Sequence, residues 1–148
     1  PIVSVVAVVL WSRHSDRSGE RTWHVVLACV AAAVGLVVAA SANSVVGLIA
    51  ALTLVNVGIS CAKPPLWSMP TMFLSGAAAA TGIATINSIG NLGGFAGPAM
   101  IGWVKDQTGS FAGGLYFVAG LLVMSAVLTL VLARSQRSQA VPAEAVAH

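Results

Sequence analysis

Two stretches of this chain, Trp23–Ala42 and Gly114–Ala133, each run for twenty residues without an Asp, Glu, Lys or Arg. As helices they reach ~30 Å, the thickness of a bilayer's hydrocarbon core. A helix on a soluble protein keeps a polar face toward water, and these stretches offer none. The balance of the chain agrees: 57% of its residues are hydrophobic and 7% charged, against about 25% charged in an ordinary soluble domain. In lipid the backbone must satisfy its own hydrogen bonds, which helices do within one segment. The fold expected is therefore all-α, a polytopic transmembrane helix bundle.

Five segments follow from the spacing of the polar residues. Segment A, Pro1–Trp11, is too short to span and reads as the end of a helix that begins upstream. Ser12 to Thr22 is polar and holds five of the eleven charged residues. Segment B is Trp23–Ala42. Segment C begins at Val45, stays apolar to Ala62, meets Lys63-Pro64-Pro65 and continues to Leu74. Segment D, Gly76–Val104, is rich in Gly and Ala. Lys105 to Gly113 is a polar turn, segment E is Gly114–Ala133, and Arg134–His148 reads as a polar, disordered tail. Arg13, Arg17 and Arg21 precede B, and Arg134 and Arg137 follow E. By the positive-inside rule both regions are expected in the cytoplasm, with the Asn43 and Lys105 turns outside.

Function classes narrow by what the chain carries. A net charge of +3, with basic residues at segment borders and no aromatic interleaving, is no nucleic-acid signature. Cys29 and Cys61 lie in apolar segments and read as small hydrophobes, neither a disulfide framework nor a metal site. No cluster of His, Asp and Glu or nucleophile–base pair falls at membrane depth, so an enzyme is not expected, nor a cofactor.

The apolar segments do hold one strong cation, Lys63. If segment C is helical to Leu74, Lys63 lies ~16 Å from its inner end, near mid-membrane. A charge there costs about 3 kcal/mol on insertion scales, and usually faces water or a counter-ion. The alternative is that it snorkels to the headgroups and the prolines end the helix. Asn56, Ser60, Lys63 and Trp67 recur at intervals of four, three and four, one stripe of a helix with Thr53 at its edge. Broken helices and such stripes belong to transporter midplanes. In segment D, Asn87 and Asn91 form a second polar stripe. Beside it Gly90–Gly94 and Gly93–Gly97 are G-x-x-x-G pairs of the kind that bring helices together. The two amides need partners, either a neighbouring helix or a polar substrate and its water.

Ser12 to Arg21 resembles the cytoplasmic loop motif G-x-x-x-D-R-x-G-R-R of the major facilitator superfamily. Asp16, Arg17, Gly19 and Arg21 match, while Ser12 and Glu20 depart from it. Pro64 to Thr71, Phe73 to Gly76, Gly82 to Ala84 and Asn87 to Gly94 are similar to helices 10 and 11 of that superfamily's anion:cation symporter branch, which carries tartrate, galactonate, glucarate and phthalate. Gly97-Pro98 and Gly102-Trp103 extend the likeness.

The resemblance implies that the segments are helices 8 to 12 of a twelve-helix carrier, its C-terminal portion, in the orientation read from charge. It places an aromatic and an amide of the organic-anion site on Trp67 and Asn87. It assigns Asp16, Arg17 and Arg21 to a bridge that biases the outward-facing state. The expected site is Lys63, Trp67, Asn87, Asn91 and Asn56, with Lys63 as carboxylate partner. The expected function is uptake of a small organic anion, tartrate- or sugar-acid-like, across the inner membrane by alternating access. Symport with protons would use a carboxylate of the N-terminal half, since these segments hold none. The partners are that half, the anion and membrane lipid. The other reading is a truncated, non-transporting remnant or a structural membrane subunit.

Overall fold

The computed structural model describes residues 2–69 and 75–145, with side chains as far as Ser135. Five α-helices follow one another: α1 Ile2–Ser18, α2 Arg21–Ala40, α3 Val45–Ser68, α4 Gly76–Thr108 and α5 Ala112–Ala145. No strand occurs among the described residues. Three helices, α2, α3 and α5, are long and apolar enough to cross a membrane. Helix α4, with 33 residues, is long enough, but its Gly, Thr and Asn content leaves it less apolar. The chain is a multi-pass membrane protein.

Helix α2 is the centre of the bundle and contacts α1, α3 and α5, while α4 packs on α5. Small residues set the closest approach. A Cβ on Gly58 would stand 2.7 Å from the Ala28 carbonyl oxygen and 2.8 Å from the Ala32 nitrogen. One on Gly35 would stand 3.0 Å from the Ala51 carbonyl oxygen. Backbones packed this closely gain dispersion contacts that lipid cannot replace, the usual source of association between membrane helices. Val25, Val26 and Cys29 of α2 pack on Ala126 of α5, and Ala33 and Leu36 pack on Ala119. Among the described residues the G-x-x-x-G pairs of segment D do not serve in this way. Nothing among the described residues comes within 4 Å of a Cβ at Gly90, Gly93, Gly94 or Gly97.

Helix boundaries depart furthest from the sequence reading at three places, and α4 also runs on past Val104 to Thr108, into the expected polar turn. Helix α1 continues past Trp11 to Ser18, because Ser12 to Ser18 contains no breaker. The connection to α2 shrinks to Gly19-Glu20, and Gly19 takes φ +67° there. Its N–H donates to the Ser15 carbonyl at 3.0 Å, a left-handed helix stop that suits glycine. Helix α5 continues past Ala133 to Ala145 and is not a disordered tail, since Arg, Gln and Ala after Ala133 are good helix formers. Helix α3 passes through Pro64 and Pro65 and ends at Ser68, and Pro70–Leu74 of segment C lies outside the described residues. The α4–α5 turn closes on Gly109, φ +73°, with the Lys105 ammonium 4.4 Å from the Phe111 ring centre.

Candidate transport site

The two prolines do not interrupt α3, so Asn56, Ser60, Lys63 and Trp67 keep one phase along a continuous helix. Neither proline has an N–H to donate, which leaves the Ser60 and Cys61 carbonyls without their helical donors. Those oxygens lie within one turn of Lys63. Lys63 and Trp67 are both exposed at the bundle surface, as are Asn56, Asn87 and Asn91. Asn56 stands at the midpoint of α3, and Lys63 about 10 Å beyond it toward the C-terminal end. Counted along the helix described, Lys63 is thus off-centre, because α3 ends at Ser68. In α4, Asn91 stands within a residue of the midpoint, and Asn87 one turn nearer its N-terminus.

Among the described residues, Asn56 alone of these has a polar partner on another helix. Ser4 of α1 donates its hydroxyl to Asn56 Oδ1 at 2.8 Å. Together with Ile49, Leu52 and Thr53 they line a cleft of about 260 Å³. Thr53 Oγ1 is turned to its own helix and donates to the Ile49 carbonyl at 2.8 Å. The Asn56 amide hydrogens have no hydrogen-bond acceptor among the described residues. Ser4 escapes the sequence reading; the signal for it is a lone hydroxyl in an otherwise apolar run, Ile2 to Trp11. Asn87 and Asn91 make no side-chain hydrogen bond among the described residues. Among the described residues α3 and α4 share no extensive contact, and no described cleft is lined by both polar stripes.

At the other end of α1, Asp16 and Arg21 form an ion pair at 3.9 Å that ties α1 to the first residue of α2 across the Gly19-Glu20 turn. Asp16 is mostly exposed, so the pair is screened. Arg17 is exposed on the same helix end. No group of three or more potential metal ligands occurs among the described residues.

Comparison with known proteins gives the wider setting. The chain is 77% identical over 134 residues to a protein of Agrobacterium vitis provisionally named a tartrate transporter, a match covering 90% of the chain and 30% of that protein. A second protein of that organism, with the same provisional name, is 75% identical over 134 residues, 90% of the chain and 31% of the protein. A quinolone resistance transporter of Acinetobacter baumannii is 36% identical over 139 residues, 93% of the chain and 32% of its own length. The chain thus spans about 30% of the length of the relatives it matches. No family model matches it, and no solved structure does. These relatives are named as transporters and not as enzymes, and the chain is similar to about a third of each.

Proposed function

We propose that the chain is the C-terminal portion of a secondary transporter that moves a small organic anion, a carboxylate of the tartrate or sugar-acid class, across the inner membrane. The observation that carries this reading is the 77% identity to a protein provisionally named a tartrate transporter, in a chain whose α3 carries a cation, Lys63, within its apolar span. Anion and cation suit one another, and an intramembrane lysine is a functional group by default.

Two levels of polar groups support the geometry. Consecutive spans run antiparallel, so the C-terminal end of α3 and the N-terminal start of α4 lie at one face. Measured from the helix midpoints toward that face, Lys63 lies ~10 Å and Asn87 ~8 Å out, while Asn56 and Asn91 stand near the middle. Lys63 would hold a carboxylate, Trp67 would wall the anion, and Asn87, Asn91 and Asn56 would take its hydroxyls. Amides left without partners in hydrocarbon are costly, so Asn87 and Asn91 are expected to meet substrate, water or the N-terminal half. Asp16, Arg17 and Arg21 would brace the α1–α2 corner in one state of the alternating-access cycle. Coupling to protons would come from a carboxylate outside this chain. The face with Arg13, Arg17, Arg21 and Arg134 would be cytoplasmic.

Uptake of radiolabelled tartrate by the full-length transporter in cells or proteoliposomes tests the reading. Saturable uptake is expected, and Lys63→Ala is expected to weaken it. Losing a charge-assisted hydrogen bond worth about 1.5–3 kcal/mol corresponds to roughly ten- to hundredfold in affinity. Unchanged uptake in Lys63→Ala would remove Lys63 from the site.

A further inference from the structure

Two histidines meet where α1 ends and α2 begins. His14 Nδ1 and His24 Nε2 lie 2.8 Å apart, a contact that requires one proton between the two nitrogens. The tautomer follows from the other side of His24, whose Nδ1 faces the main-chain carbonyl of Glu20. A carbonyl only accepts, so His24 Nδ1 carries a hydrogen. In neutral His24 the Nε2 is then an acceptor, and the shared proton belongs to His14 Nδ1. His24 is further held by Trp11. The indole N–H donates to the His24 carbonyl at 3.3 Å, and the indole stands edge-on to the imidazole with ring centres 5.1 Å apart. His24 is 6% exposed, whereas His14 is exposed.

The geometry points to a proton-binding site shared by His14 and His24, which ties α1 to α2 in its neutral and singly protonated forms and releases them when a second proton binds. The first proton adds to His14 Nε2, at the exposed ring, and the N–H···N contact survives it. A second proton must go to His24 Nε2. Two N–H groups then face each other across 2.8 Å, each on a cationic ring, and the contact cannot persist. The charges around the pair come from every neighbouring element. Helix α1 contributes Arg13, Asp16 and Arg17, the turn Glu20, and α2 Arg21, which is paired with Asp16 at 3.9 Å. From α3, Cys61 lines the same cleft as His14, with Lys63 two residues further along. From α5, Arg134 lies beside Thr22 and Trp23 of the first turn of α2. Cations outnumber carboxylates in this set, which favours release of the doubly charged pair. The inference does not depend on what the chain transports.

The test is nitrogen NMR on the full-length protein in lipid, with 15N-labelled histidine and the two ring signals assigned by His14→Gln and His24→Gln. At neutral pH a through-bond 15N–15N coupling between the rings and a protonated Nδ1 on His24 are expected. Acidification should abolish the coupling reversibly, and either variant should lack it. Hydrogen exchange of residues 19–24, corrected for intrinsic rate, should then speed up several-fold in acid in the parent and not in His14→Gln. Absence of the coupling at neutral pH in the folded protein would overturn the site. Equal acid-induced exchange in parent and His14→Gln would overturn the tie.

Discussion

Asn56 is both a packing residue and a proposed donor to the anion. Its Oδ1 is occupied by the Ser4 hydroxyl, so Ser4 orients the amide and leaves its two hydrogens available. Two substitutions separate these roles. Ser4→Ala removes one interhelical hydrogen bond, worth on average ~0.6 kcal/mol in a membrane protein. It should lower thermal stability slightly and leave tartrate uptake within about twofold. Asn56→Ala removes the proposed donor itself and should raise the half-saturating tartrate concentration more than Ser4→Ala does. Equal effects in a transport assay would make Asn56 a structural residue. The ion pair of Asp16 and Arg21 is a different case. Asp16 is 71% exposed, and an exposed pair contributes up to about 1 kcal/mol. Asp16→Asn should therefore leave the melting temperature nearly unchanged and shift the balance of inward- and outward-facing states, read by substrate affinity from each side.

At the scale of elements, the helices cohere through small residues on α2 and α3. Gly58 admits no side chain, because a Cβ would meet backbone atoms of Ala28 and Ala32 below 3 Å. Overpacking of this kind costs about 1–3 kcal/mol, so Gly58→Val should lower the melting temperature of the detergent-solubilised protein clearly. Gly19 bears on the α1–α2 corner. Its positive φ makes Gly19→Val strained as well, although nothing crowds its Cβ. The existence of α2, α3 and α5 was legible in the sequence because uncharged runs of this length have no other stable home. The end of α1 was not, because polar residues without a breaker extend a helix beyond the apolar run. Gly58 was not legible either. Gly and Ala recur throughout the apolar segments, and which of them meet depends on helix phase and partner. Thus Gly90 and Gly94, with the more familiar spacing, stand open among the described residues.

Across the whole molecule, the polar stripe of α3 and that of α4 were each legible from spacing, but their meeting was not. Among the described residues α3 and α4 share no extensive contact, and the chain covers about 30% of its relatives' length. The amides of Asn87 and Asn91 make no side-chain hydrogen bond among the described residues. In the proposed function both stripes face a watery, anion-binding interior. Single cysteines at positions 56 and 87 of the full-length transporter, with Cys29 and Cys61 replaced, test it directly through a membrane-impermeant maleimide. Both positions should react at rates far above a cysteine at Val127, on an exposed apolar face of α5, and tartrate should slow both reactions. Labelling no faster than at Val127, or indifferent to tartrate, would contradict the account.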